Sequence, residues 1–503
     1  MNDLRELAAG VLCVGFDGTG AADVGSVLRR TPFAGLILFG RNVVSPEQTR
    51  ALTDAIRDAL PSPIIAVDQE GGRVARLRRG VEELPAMLAL AATGDTDLAE
   101  RAGMQLAFDL RRAGVNVNYA PVLDLMLMKM NTVIGSRAFG DDPQRVIAFA
   151  GAFARGMQSQ GIVPTFKHFP GHGSTEVDSH LDLPVVDLPE ERLRARDLAP
   201  FAQLLPGAQA VMTAHIVVQS LDPHLPATLS PRLLTDVLRD EIGFTGVCFT
   251  DCMQMNAIAD SVGSAEGAVQ ALIAGADCVL VSHSVDCALE SIDRVVWAVE
   301  QGRLPRERLE QAHARVRRLR AGLQAPLPLD AHPPHAGVGR EIGRRAVTLL
   351  RGSAAVQREN AAVISFEGAT VEGVQGLHSD HAILIDDASS RRALPLEPEV
   401  SEVDGALAFL RARQKRPVVL LRRAHVYPSQ AQAVRRIIDE FPETILVSTR
   451  EPFDAFLFDA ARNVMCTYGD DKPSMEGLGD VLFGGARASG SFPLSGYPQT
   501  VAG

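Results

Sequence analysis

Eight short apolar, β-rich runs alternate with amphipathic helical stretches through residue 322. That alternation restricts the chain more than any other feature. The runs are V-L-C-V-G-F from Val11, G-L-I-L-F from Gly35, P-I-I-A-V from Pro63 and V-N-V-N-Y-A-P-V-L from Val115. They continue with V-P-T-F from Val163, A-V-M-T-A from Ala210, G-V-C-F-T from Gly246 and C-V-L-V-S from Cys278. Thr96 to Ala113 typifies the stretches between them, with Leu98, Ala102, Leu106 and Leu110 on one helical face. Strands separated by helices pair in parallel, and eight such units predict a (β/α)8 barrel. Asp17, Asp68, Asp124, Lys167-His168, His215, Asp251 and His283 each follow a run directly. The expectation is a ring of ionisable groups converging at one mouth, where barrels keep their chemistry.

Composition changes at Ala321 to Arg340, where four prolines cannot continue a helix. The expected division is therefore a barrel over 1–322, an extended linker over 323–340 and a smaller α/β domain over 341–503. Apolar runs starting at Ala346, Ala362, Ala382, Pro417, Thr444 and Asn463 predict a layered, largely parallel sheet there. It has no G-x-G-x-x-G or G-K-[ST] to mark a nucleotide site.

The chain has 503 residues, 46% hydrophobic and 22% charged, with net charge −11. No basic run invites nucleic acid. One Trp and four Tyr make a broad sugar-stacking platform unexpected, so any sugar would be gripped by hydrogen bonds. The first residues lack a basic region followed by an apolar one, and no apolar run reaches the ~18 residues of a membrane span. Six scattered cysteines suit reduced thiols, and the expected location is cytoplasmic.

The densest chemistry lies in K-H-F-P-G-H-G-S-T-E-V-D-S-H, Lys167 to His180. A cation, three imidazoles and two carboxylates follow a buried strand, and Pro170, Gly171 and Gly173 force an irregular turn. His168, His172, Asp178 and His180 are also possible metal ligands, but their spacing matches no metal motif. In V-C-F-T-D-C-M, Asp251 could be nucleophile, base, metal ligand or helix cap. V-D-Q-E-G-G-R-V sets Asp68, Glu70 and Arg73 around a Gly71-Gly72 turn, and I-G-S-R-A-F-G offers Arg137. Asp68, Arg73, Arg137, Lys167 and His168 are the candidate substrate-binding residues, and such fixed donors and acceptors suit a polyol.

Eight segments in order resemble glycoside hydrolase family 3, and within it the bacterial β-N-acetylhexosaminidases. They are Gly35–Asn42, Val67–Val74, Ala120–Asp124, Val133–Gly140, Lys167–Gly173, Asp178–His180, Leu225–Ser230 and Phe249–Asp251. Asp480–Ser495 resembles the end of the family's second domain. The resemblance implies a retaining mechanism with Asp251 as nucleophile, His180 as general acid and base, and Asp178 orienting His180. A histidine acid departs from the usual pair of carboxylates, yet a neighbouring carboxylate keeps an imidazolium charged near neutral pH. The D-S-H loop places the acid within the barrel, which the resemblance associates with N-acetylglucosaminides rather than glucosides. The chain departs from the family pattern at Ser174, Leu125–Asn131 and Cys252.

The function expected is an exo-β-N-acetylglucosaminidase acting on muropeptides of peptidoglycan recycling or related glycosides, with no cofactor, metal, nucleic acid or membrane partner. The alternatives are a β-N-acetylglucosaminide phosphorylase, a metal-dependent barrel hydrolase and a non-catalytic sugar-binding protein.

Overall fold

The computed structural model describes residues 2–175, 183–368, 380–385 and 387–497. Eight parallel strands close into a barrel: β1 (Leu12–Gly15), β2 (Gly35–Leu38), β3 (Ile64–Val67), β4 (Val117–Asn118), β5 (Val163–Phe169), β6 (Ala210–Thr213), β7 (Val247–Cys252) and β8 (Cys278–Val281). Each pairs with its sequence neighbours, and β8 returns to β1 in parallel register, Leu12 opposite Val279. Every expected run therefore supplies one barrel strand.

β4 is far shorter than its apolar run. The side chains of Asn116 and Asn118 accept the backbone N–H groups of Ile65 and Gln69 at 2.8 and 3.0 Å, replacing ladder bonds at both ends. Pro121 has no N–H to extend the strand.

The interior is filled rather than hollow. Ile37, Ile64, Val117, Tyr119, Met212, Phe249 and Leu280 meet inside the strands, and Tyr119 and Phe249 pack edge to face at 5.4 Å. Burying each such side chain contributes roughly 1.5–3 kcal/mol. Helices around the barrel are begun by side-chain caps where the sequence provides them. Asp95 accepts from Leu98 N–H at the start of Thr96–Arg112, and Asp142 does the same for Pro143–Ser159. At the bottom, Asp277 is wholly buried and ion-paired to Arg239, Arg308 and Arg315 at 2.5, 2.9 and 3.1 Å.

Helix Arg306–Ala321 closes the barrel sequence, and helix Val338–Ala346 already begins within the stretch expected as linker. Beyond it lies a six-stranded sheet of β9 (Thr348–Arg351), β10 (Ala361–Glu367), β11 (Arg391–Pro395), β12 (Arg416–Leu421), β13 (Ile445–Ser448) and β14 (Asn463–Cys466). Its order is β9-β14-β13-β12-β10-β11, all parallel except β9. Two expectations need correction. The apolar run at Ala382 is a tight helical turn, His381–Leu384, and the strand R-R-A-L-P of β11 was not foreseen. β11 is an edge strand with one fully buried residue, Leu394, so it carries no apolar pattern.

A continuous apolar cluster joins the two parts. Leu88, Met126, Val133 and Ile134 of the barrel pack with Phe453, Tyr468 and Phe492 of the second domain. Among the described residues, no helix is long and apolar enough to cross a membrane.

Candidate active site

Two barrel strands carry irregularities where their charged residues emerge. On β7, Phe249 and Cys252 pair with Cys278 and Leu280, so three steps on one strand face two on the other. On β5, Phe166 and Phe169 face Val211 and Thr213 in the same way. Such bulges turn a side chain out of the regular alternation and are common beside active sites. Here they fall at Asp251 and at Lys167-His168.

These groups border a cavity of about 180 Å³ at the barrel mouth, together with Asp68, Glu70, Arg76, Arg137, His172, Cys252, Ser282 and His283. The volume is small beside the ~300–1,000 Å³ of clefts for drug-sized ligands. It suits one sugar residue rather than a length of polymer.

One wall is a chain of buried charges. Lys167 Nζ donates to Asp68 Oδ1 at 2.7 Å and pairs with Glu70 Oε1 at 2.7 Å. Arg137 grips Glu70 with two parallel bonds of 2.8 Å each. Burial disfavours the Glu70 carboxylate, but Arg137 and Lys167 outweigh it and hold the group well below the usual carboxylate range. The same balance keeps Lys167 charged: burial lowers its pKa, and Asp68 and Glu70 more than restore it. Fixed charges with spare hydrogen-bonding capacity are suited to hydroxyls.

A second carboxylate organises the imidazoles. Asp124 is fully buried, lies 2.6 Å from His168 Nδ1, and accepts the backbone N–H of His172 at 2.6 Å. Burial opposes its charge, but His168 and His172 lower its pKa overall. His172 bonds through Nδ1 to Thr175 Oγ1 at 2.8 Å, and burial pushes its pKa down to about 4, so the ring is neutral.

Asp251 stands across the mouth, half-buried at the β7 bulge. Its Oδ1 accepts the N–H of Cys252 at 2.7 Å, which fixes the plane of the carboxylate. His215 reinforces this from beneath, donating through Nε2 to the Cys252 carbonyl at 2.9 Å. Cys252, where the family resemblance leads one to expect an acid, receives the Ser282 hydroxyl at 2.7 Å, and burial raises its thiol pKa.

The expected ring is thus only partly realised. Asp68, Lys167, His168, Asp251 and His283 line the cavity, whereas Asp17, Asp124 and His215 do not. Asp17 is solvent-exposed and paired with Arg41, Asp124 holds the imidazoles, and His215 is a buried support. Of the five candidate binding residues, Asp68, Arg137, Lys167 and His168 border the cavity and Arg73 does not. The chain doubles back at the Gly71–Val74 bridge, and Arg73 Nη2 donates instead to the carbonyls of Thr132 and Val133 at 2.7 Å each. The candidate binding set omitted Glu70 and His172, as well as Arg41, Arg76, Cys252, Ser282 and His283, which border the cavity too. Glu70 stands two positions after Asp68 in the same V-D-Q-E-G-G-R-V segment, and Lys167 Nζ lies 2.7 Å from both carboxylates. Asp178 and His180 lie outside the described residues. Among the described residues, no group of three or more His, Cys, Asp or Glu is arranged to hold a metal ion.

The geometry is matched by similarity to known proteins. The model of the glycosyl hydrolase family 3 N-terminal domain covers residues 6–319. A β-hexosaminidase of Pseudomonas aeruginosa (strain LESB58) is 44% identical over 274 residues, 54% of this chain and 82% of that protein. One from Stenotrophomonas maltophilia (strain K279a) is 43% identical over 303 residues, 58% of this chain and 88% of that protein. The structure of a glycoside hydrolase family 3 β-N-acetylglucosaminidase from Paenibacillus sp. str. FPU-7 is similar across 99% of both chains, with a TM-score of 0.91 and 32% identity. A barrel whose strand ends converge on a sugar-sized, carboxylate-lined cavity, matched along its whole length by that family model, belongs to glycosyl hydrolase family 3.

Proposed function

We propose that this chain is a retaining exo-β-N-acetylglucosaminidase with Asp251 as its nucleophile. The observation that carries the reading is the placement of Asp251. A carboxylate held on a strand bulge faces a one-sugar cavity whose opposite wall is the Asp68–Lys167–Glu70–Arg137 chain. Similarity to proteins named β-hexosaminidase and β-N-acetylglucosaminidase supports the sugar.

In this reading the sugar's hydroxyls bind Asp68, Lys167, Arg137 and His168, which present its anomeric carbon to Asp251. The carboxylate attacks, a glycosyl ester forms, and the bond to the leaving oxygen breaks as that oxygen takes a proton. Water then attacks the anomeric carbon, giving up its proton as the bond to the Asp251 oxygen breaks and frees the carboxylate, so two inversions leave the configuration unchanged. We assign the proton donor and acceptor to His180, oriented by Asp178. The small cavity supports removal of single terminal residues.

We further assign the natural substrates to N-acetylglucosamine-terminated muropeptides of peptidoglycan recycling. Six cysteines without a disulfide support a reducing, cytoplasmic compartment.

Release of para-nitrophenol from the β-N-acetylglucosaminide, but not from the glucoside, tests the reading. It should occur in both phosphate-free and phosphate buffer and yield free sugar. Sugar 1-phosphate as the main product, or equal rates on the glucoside, would contradict it.

A further inference from the structure

The cavity wall that contains Arg137 is held from behind by the second domain. Residues Asn131 to Arg137 form an irregular loop whose Val133 and Arg137 line the cavity. Inside the barrel the loop is tied by Asn131 Nδ2 to the His172 carbonyl at 2.9 Å and by Arg137 to Glu70. On its outer side, Arg423 from the turn after β12 donates to the Thr132 carbonyl at 3.1 Å. Arg423 is itself clamped by Glu451, from the turn after β13, through two bonds of 2.9 and 3.1 Å. Both side chains are about 2% exposed. Gly135, with φ +45°, lies so close that a β-carbon there would collide with Glu451 Oε1. Arg73 reaches the same carbonyls, and Arg137 Nη1 donates to that of Val133 at 3.0 Å.

We infer that the Arg423–Glu451 pair is a positioning element of the sugar site, setting sugar affinity through the loop that carries Arg137. The inference rests on the reading of this cavity as a sugar site. Neither residue touches the cavity, so neither is part of the chemistry. Two buried guanidinium groups converge on the Thr132 carbonyl, and Glu451 supplies the negative charge that lets Arg423 stay there. The Arg137 fork must meet both Glu70 and the sugar, and a small displacement of its backbone would misalign it for binding before it affected Asp251.

The test uses the full chain. Glu451→Gln keeps the shape and removes the charge. The double variant Arg423→Leu/Glu451→Met removes both charges of the pair together, so that neither of the two is left buried without the other. Arg423→Lys keeps the charge but loses the planar fork. For each, kcat and KM are measured with para-nitrophenyl β-N-acetylglucosaminide, Kd with N-acetylglucosamine by calorimetry, and folding by thermal melting. Glu451→Gln and the double variant should raise KM and Kd about ten-fold, with kcat changed by less than about two-fold. Arg423→Lys should fall between them and the wild type. Folded variants with unchanged KM and Kd overturn the inference and leave the pair a structural strut, whatever their melting temperature. A wild type that binds the sugar without cleaving it defeats the hydrolase reading, while Kd still judges the brace. A wild type that does neither overturns both.

Discussion

Replacing Lys167 with methionine tests the charge chain that forms the cavity wall. Lys167 is about 3% exposed in its side chain and contacts Asp68 and Glu70 at 2.7 Å each. Leaving the partners of a buried ion pair uncompensated costs about 3–5 kcal/mol. Glu70 would still hold its two bonds to Arg137, and among the described residues Asp68 would keep Arg76 at 3.9 Å as its ion-pair partner. The cost should therefore sit near the lower end, about 3 kcal/mol, a large share of the ~5–15 kcal/mol that holds a domain together. Its pH dependence follows from the direction of the shifts. Glu70 has a folded pKa below its ordinary 4.5, so its contribution is present above that pH and fades as pH falls. Lys167 has a folded pKa above its ordinary 10.5, so its contribution is present below that value and is lost as pH rises beyond it. The difference between wild type and variant should thus be flat from about pH 5 to about pH 10 and shrink in acid. Urea unfolding followed by circular dichroism measures it. A variant within about 0.5 kcal/mol of wild type at neutral pH would refute the argument, since that is the effect of an ordinary surface change.

Three further outcomes are expected. Because burial lowers the His172 pKa from 6.5 to about 4, the native state resists protonation there, and stability should fall as pH drops between those values. Denaturation of His172→Gln across that range should lose up to about 3 kcal/mol of the wild type's pH slope. Asp471 behaves oppositely: burial raises its carboxyl to about 7, so it opposes folding as pH rises from about 4 through 7. Asp471→Asn keeps the cap on Ser474 N–H and should melt higher than wild type at about pH 8, while losing that gain in acid. Asp277→Ala removes the partner of three arginines at the barrel bottom and should cost about 3–5 kcal/mol, with kcat and KM of the folded protein unchanged.

The barrel was legible because each parallel strand is buried on both faces and shows as an unbroken apolar run. β11 escaped because an edge strand buries little, and its R-R-A-L-P has no such run. The site was legible where a residue leaves a strand directly: Asp68, Lys167, His168 and Asp251 all reach the cavity. The same logic failed for His215, which ends a strand but turns beneath the floor to the Cys252 carbonyl. It failed for Arg73 because the Gly71-Gly72 turn reverses the chain and sends that side chain toward the second domain. The Arg423–Glu451 brace was invisible, since nothing local in either segment signals a contact almost three hundred positions away in sequence.

The account stands or falls on Asp251, and trapping its glycosyl ester tests it most directly. The full chain is incubated with an activated fluoro-sugar analogue of N-acetylglucosamine, and intact mass and peptide mapping locate any adduct. One sugar should attach per chain, on Asp251, and Asp251→Ala should take up none while losing roughly 10⁴–10⁶-fold in turnover. An adduct on another residue, or Asp251→Ala turning over near the wild-type rate, would contradict the account.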